Sequence, residues 1–310
     1  MRRMLSALTL TALTTLAVGG LSGCGSSTSD GSPGGSGGSP STTLPSASAP
    51  DTLVVEPGEL VVAHGSLMQR KESGPVELCL GGVAQSYPPQ CGGPRIIGDV
   101  NWDDLQPERA AGVTWTEGVV RAVGHYDPRD GASGSFTLDR PLTLGTTPEP
   151  GSAAAPEPMT FPQLCKDPYA GGGARSGGVA QGDTNPITER LPQLDGYVGS
   201  WVSDGSSIFN VLVTGDAAAA HRELRKTWKG GLCVEQRDAA TEEDVAAAQD
   251  ALATTFKGLL STGGDVVRGR LDVEVILLDQ ATLDEIIQTV SPWIAAKDLN
   301  VTSALQPLRR

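Results

Sequence analysis

Residues 266–278 read Val266-Val267-Arg268-Gly269-Arg270-Leu271-Asp272-Val273-Glu274-Val275-Ile276-Leu277-Leu278. Leu271, Val273, Val275 and Leu277 fall on every second position, the period of a strand with one buried face. Gly269 supplies a turn, so Val266-Val267 and Leu271–Val275 are expected to form a hairpin. Just downstream the period changes. Leu283, Ile286, Ile287 and Val290 recur at helical spacing, Pro292 marks the end of that helix, and Leu299–Leu305 reads as a final strand.

The same alternation extends upstream. Thr241 is followed three residues on by Asp244, and Val245, Ala248, Leu252 and Phe256 line one face, the pattern of a capped amphipathic helix. Leu232-Cys233-Val234 is a short strand and Asp216–Trp228 has helical character. Gly199–Val202 and Ile208–Val213 flank Asp204-Gly205 as a hairpin. Residues 188–310 are therefore expected to form an α+β domain, with helices packed on an antiparallel sheet.

Residues 51–145 read differently. Short β-prone runs at 60–63, 76–80, 95–97, 112–115, 118–124 and 135–138 are separated by Gly, Pro, Asp and Asn clusters, without helical periodicity. A small all-β domain is expected, an OB-like barrel or a sandwich. Residues 146–187 are rich in Pro, Gly, Ala and Ser and read as a linker, so the fold class is α+β with two domains.

At the other end the chain starts Met-Arg-Arg-Met, continues with an uncharged Leu/Ala/Thr/Val run, and reaches Leu21-Ser22-Gly23-Cys24. A basic start, an apolar stretch too short to span a bilayer and small residues before a cut site define a signal peptide, residues 1–23. Leu21–Cys24 resembles the bacterial lipobox. That resemblance implies that Cys24 is lipidated and becomes the first mature residue, anchoring the protein on the extracytoplasmic face of the cell membrane. Residues 24–50 carry Gly, Ser and Pro with no aromatic residue, a flexible tether of roughly 30 Å root-mean-square reach.

The formal net charge is −13, and removal of residues 1–23 takes away Arg2 and Arg3 and no acid, which deepens it to −15. Such a surface repels nucleic acid. Abundant Ala and Gly, with Arg favoured over Lys, suggest a GC-rich, actinobacterial-type genome. Apart from Cys24 four cysteines remain: Cys79, Cys91, Cys165 and Cys233. An even number in an exported chain reads as disulfides. Of three connectivities, Cys79–Cys91 and Cys165–Cys233 is favoured, because the first closes a short loop inside one domain and the second ties the linker onto the next. Loop closure is worth about 3 and about 4 kcal/mol respectively. A zinc site is disfavoured by the lack of any Cys-x-x-Cys pair.

No catalytic constellation stands out. His64, His125 and His221 lack partners at metal-ligand spacing, Asp127-Pro128-Arg129-Asp130-Gly131 reads as a turn rather than a calcium loop, and Asp103-Asp104 reads as a solvated loop. No cofactor and no metal is expected. Trp102, between Asn101 and Asp103, and Tyr87, inside the 79–91 loop, are candidates for an exposed aromatic recognition patch; the plainer alternative is that both cap the β domain.

Residues 195–278 resemble the C-terminal part of the pro-region of alpha-lytic-protease-like and streptogrisin-like secreted proteases. The likeness is carried by Gly199-Ser200-Trp201, by Val211-Leu212-Val213-Thr214 running into an Ala-rich helix, by Thr241-Glu242-Glu243-Asp244 leading to Gln249-Asp250-Ala251-Leu252, and by Asp265–Val273. In that family the domain folds and inhibits an attached protease, against which it lays a strand edge and a C-terminal tail. No protease domain is expected here, and Arg268-Gly269 replaces the family's Thr-Asn. The expected function is a non-enzymatic binding module with a protein partner in the cell envelope; the alternatives are an inhibitor or folding helper of a secreted protease and, third, an envelope hydrolase.

Overall fold

A computed structural model describes residues 54–56, 58–82, 84, 86–145, 160–174, 185–205 and 207–308. The signal peptide, Cys24, the tether and most of the expected linker lie outside the described residues. Four helices and fifteen strands occur among them, an α+β fold dominated by sheet.

The first part of the chain supplies β1 (Val61–Gln69), β2 (Val76–Cys79), β3 (Arg95–Ile97), β4 (Pro107–Ala110), β5 (Val113–Thr116), β6 (Val120–Asp127), β7 (Ser135–Leu138) and β8 (Thr143–Leu144). Five of these close a barrel rather than a sandwich. β1 pairs with β2, β2 with β3, β3 with β7, β7 with β6, and β6 with β1; only the β3–β7 pairing is parallel. β1 takes part twice. Val61–Gly65 pairs with β6 and Ser66–Gln69 with β2, so the strand changes partners after Gly65. A Cβ at Gly65 would sit 2.2 Å from the Cys79 carbonyl oxygen, which is why a residue without one occupies this corner. Val61, Ala63, Leu67, Leu78, Ile96, Val120, Ala122 and Phe136 fill the interior.

The second part contains α1 (Asn185–Thr188), β9 (Tyr197–Val202), β10 (Ile208–Val213), α2 (Ala217–Leu224), β11 (Gly231–Gln236), α3 (Glu242–Thr255), β12 (Leu259–Asp265), β13 (Arg270–Val275), α4 (Gln280–Val290), β14 (Leu299–Ser303) and β15 (Gln306–Pro307). The expected antiparallel sheet is corrected. There are two three-stranded sheets, β11-β10-β9 and β12-β13-β14, and both are mixed. β10 runs parallel to β11 and β13 parallel to β14. The cause is α2 and α4: a helix between two strands carries the chain back along the sheet, so the next strand enters in the same direction. Each sheet is thus a hairpin, a helix and a parallel strand, and the arrangement occurs twice. α2 is N-capped by Asp216, and α3 by Thr241 in a capping box with Asp244. Leu271, Val273, Val275 and Val301 bury one face of the second sheet against Leu252 of α3 and Ile286 and Val290 of α4.

The described residues belong to one compact unit. Ile276 and Leu305 are buried within the barrel core, β15 pairs with β1 through Val61↔Pro307 and Val62↔Gln306, and the Val55 amide donates to the Leu278 carbonyl.

Candidate functional site

The site begins with the disulfides. Cys79 is bonded to Cys91 and Cys165 to Cys233, with Cα atoms 5.6 Å and 5.4 Å apart, the pairs that loop closure favours. Cys79 ends β2, so the first bridge fastens the following loop to the barrel wall. Met68 packs beside the buried Cys79–Cys91 pair. The Arg70 guanidinium donates to the Cys91 carbonyl and pairs with Glu77 at 3.2 Å. The Ala84 amide donates to the Gln90 carbonyl at 2.8 Å, and the Ser86 hydroxyl to the Pro88 carbonyl at 2.9 Å. A short loop so tied has little freedom left to lose on binding.

Tyr87 stands at the tip of this loop with 78% of its surface exposed. Its ring meets Trp115 edge to face, centroids 5.6 Å apart, and Trp115 is itself buried in β5 opposite Met68. The loop therefore presents a large amphipathic ring, fixed from behind by a buried indole and flanked by Pro88 and Pro89. That chemistry suits stacking against an apolar or planar group with the phenol free to donate or accept.

Trp102 does not share this position. The expectation that it is exposed is corrected: Asn101 caps a 3-10 turn over Trp102–Leu105, and Trp102 is half-buried against the barrel core that also holds Leu105. The Asn101 side-chain amide donates to Asp104 at 2.7 Å, which occupies that carboxylate in the cap.

The other polar groups singled out in the sequence have local partners. Asp127 accepts from the Arg129 amide and guanidinium, which hold its carboxyl below the usual range, and Arg95 pairs with Asp130 at 2.6 Å. These contacts make a turn between β6 and β7. Burial, helped by Asp127, pushes the Tyr126 phenol up to about 12, and the phenol donates to the Ser133 carbonyl at 3.1 Å. His64 lies across from Arg121 in the β1–β6 ladder, His125 across from Thr137, and His221 on α2, so the three occupy separate environments. Burial first and Arg225 second hold the His221 imidazole below its ordinary value. Among the described residues no group of three or more His, Cys, Asp and Glu side chains could hold a metal ion, and no helix is long and apolar enough to cross a membrane.

Sequence reading missed Arg225, a buried cation that holds residues 160–174 onto the first mixed sheet. Its guanidinium donates to the carbonyls of Pro168 at 2.5 Å, Gly230 at 2.7 Å and Ala170 at 3.1 Å. Nearby, Asn210, also buried, accepts from the Leu164 amide at 2.8 Å, and the Trp201 indole donates to the Pro162 carbonyl at 2.7 Å. Its signal would have been the long-range disulfide Cys165–Cys233, which requires this segment to lie against β11.

No protein-family model matches the chain, and no curated protein compared with it matches.

Proposed function

We propose that this chain is an extracytoplasmic lipoprotein, anchored through Cys24 at the cell membrane, and that it acts as a non-enzymatic binding module for a protein of the cell envelope. The observation that carries the binding reading is Tyr87: a ring left largely in solvent, at the tip of a disulfide-closed loop, backed by a buried Trp115. A ring left 78% exposed stabilises little by burial, whereas one held in place from behind loses little entropy when a partner covers it. The barrel is OB-like in this reading, since the ring β1-β2-β3-β7-β6 with a single parallel closure has the five-stranded Greek-key form. Net negative charge supports a protein partner over nucleic acid.

Two experiments test this. Cys24→Ala should release the protein from the membrane fraction; retention as firm as wild type refutes the anchor. A photo-crosslinking amino acid placed at position 87 in cells should trap a discrete protein adduct that the same probe at exposed Arg140 does not. Identical patterns at the two positions refute recognition by the loop.

A second reading, inhibition of a secreted protease, is favoured by one feature. β12 is an outer strand whose Ser261, Gly263 and Gly264 are exposed and which carries no charge before Asp265. Such an edge is a template for pairing with another chain. Titration of the full chain against streptogrisin-like proteases tests it, and the absence of inhibition at tens of micromolar refutes it.

A further inference from the structure

The strands behind the Tyr87 loop decide what its ring can take. Met68 of β1 stands opposite Trp115 of β5 and opposite Glu77 of β2, and Trp115 stands opposite Glu108 of β4. Residues directly opposite in an antiparallel pair share a face, with Cβ atoms about 5 Å apart. Glu108, Trp115, Met68 and Glu77 therefore form one row across the outside of the barrel, and Tyr87 meets that row at Trp115.

The charges along this row are unequally matched. Glu77 pairs with Arg70 at 3.2 Å, and Arg70 also donates to the Cys91 carbonyl. Arg95, which continues the row on β3, pairs with Asp130 at 2.6 Å. Arg109 stands opposite Thr114, one position out of phase with Trp115, so its side chain leaves on the other face of the β4–β5 hairpin. Glu117 lies beside the row: its carboxylate accepts from the Trp115 indole at 3.3 Å, which holds it next to the ring that backs Tyr87. Glu108 and Glu117 are both exposed, and neither has an ion-pair partner among the described residues. Two unmatched carboxylates thus flank the aromatic pair.

From this arrangement we infer that the Tyr87 surface receives a basic side chain, arginine or lysine, of the partner protein. The inference rests on the reading of the Tyr87 loop as a recognition site and adds the chemistry of what it recognises. The cation lies on the open face of the phenol ring, where the π-electron density is negative. It donates to the carboxylates of Glu117 and Glu108 at the margin of the ring. A carboxylate of the partner would meet two like charges there. A purely apolar side chain would cover both carboxylates without offering them a donor, which costs affinity. The net negative charge of the whole chain draws a basic partner in the same sense.

The test has one arm in cells and one in solution. In cells, benzoylphenylalanine at position 87 keeps an aromatic ring while trapping the partner. Glu108→Gln with Glu117→Gln removes both charges, and the amide oxygen introduced at position 117 still accepts from the Trp115 indole, so the fold is kept. The adduct yield should fall about fivefold in that double variant, whereas Glu189→Gln with Glu285→Gln, the same change of net charge at exposed positions elsewhere, should leave it unchanged. In solution, the full chain labelled with 3-fluorotyrosine is titrated with the N-acetyl amides of arginine, lysine and citrulline, following the fluorine resonance of Tyr87 assigned through Tyr87→Phe. Arginine and lysine amides should shift that resonance to saturation, and neutral citrulline amide should bind about fivefold more weakly. The inference is overturned if citrulline amide binds as well as arginine amide, or if the two double variants give the same adduct yield. An adduct formed at full yield in both double variants overturns this inference alone and leaves the binding module standing; no adduct in the chain without those substitutions overturns both.

Discussion

Leu305 follows the last long strand and is fully buried, yet its neighbours belong to the barrel built by the first part of the chain. Leu305→Ala removes three carbons from that core. At about 0.8 kcal/mol per buried methylene the transfer loss is about 2.4 kcal/mol, and the residual cavity raises it to about 3–4 kcal/mol. For a unit of this size each kcal/mol lowers the melting temperature by about 2–4 °C, so a fall of about 10 °C is expected. Scanning calorimetry measures the fall. Hydrogen exchange then reports where it is felt: the amides of β6 and of Ile276, the residue after β13, should speed up by the same factor, because both pack into the core that holds Leu305. A loss under about 1 kcal/mol, or faster exchange at Ile276 without any in β6, would refute the shared core.

Gly65→Ala should cost about 3 kcal/mol in urea unfolding, the upper end for overpacking, because its methyl would meet the Cys79 carbonyl 2.2 Å away; a neutral result would mean that β1 does not bend there. Arg225→Leu leaves the carbonyls of Pro168, Ala170 and Gly230 without their donor, so about 3 kcal/mol should be lost and residues 160–174 should become open to limited proteolysis; unchanged cleavage would count against Arg225 as the clamp. His221 is held below its ordinary value of 6.5, so the unfolded chain takes up its proton first, and the stabilisation present above that value is lost as pH falls below it. Melting curves of wild type and His221→Gln should therefore converge on acidification from pH 7.5, and a constant gap would refute the effect.

How much of this was legible in the sequence depends on what each element presents to its surroundings. α3 was legible because Thr241, Asp244 and the Val245–Leu252 stripe act within a few residues of one another. β12 was not. Leu259-Leu260-Ser261-Thr262-Gly263-Gly264-Asp265 shows no clean alternation, and the strand exists because its backbone pairs with β13 while Gly264 lets Val245 approach closely. Val266 and Val267, read as strand, form the turn instead, and their side chains pack with Val198, Trp201 and Leu212 of the neighbouring sheet. β1 was visible only up to Ala63, because its pattern breaks at Gly65 where it exchanges β6 for β2. The mixed sheets were missed for a similar reason: apolar alternation marks β11 and β14 as strands but does not record the direction from which a preceding helix delivers them. At the candidate site, loop closure pointed to the disulfides and the loop chemistry to Tyr87. Trp102 looked exposed because its sequence neighbours are polar, whereas the 3-10 turn carries its ring to the core.

The same geometry weighs on the inhibitory reading. The resemblance to protease pro-regions spans residues 195–278 and ends before β14. Pro-regions of that family use a strand edge and a C-terminal tail, but here the segment after β13 is occupied. β14 pairs with β13 from Leu271↔Leu299 to Val275↔Ser303, and β15 pairs with β1. Drawing residues 299–308 away would expose Val301 and Leu305, at about 1.5–3 kcal/mol each, and break both ladders as well. A protease would have to offset about 3–6 kcal/mol before gaining any affinity from the tail, a factor of about 150 to about 20,000 in its dissociation constant. What the chain can offer at no such cost is the outer side of β12, where the exposed backbone needs only a partner strand. Inhibition, if the titration finds it, should therefore survive substitutions in β14 and β15 that preserve the fold, and should fail when Gly263→Lys, at a position with nothing within 4 Å of an added Cβ, places a charge on that strand.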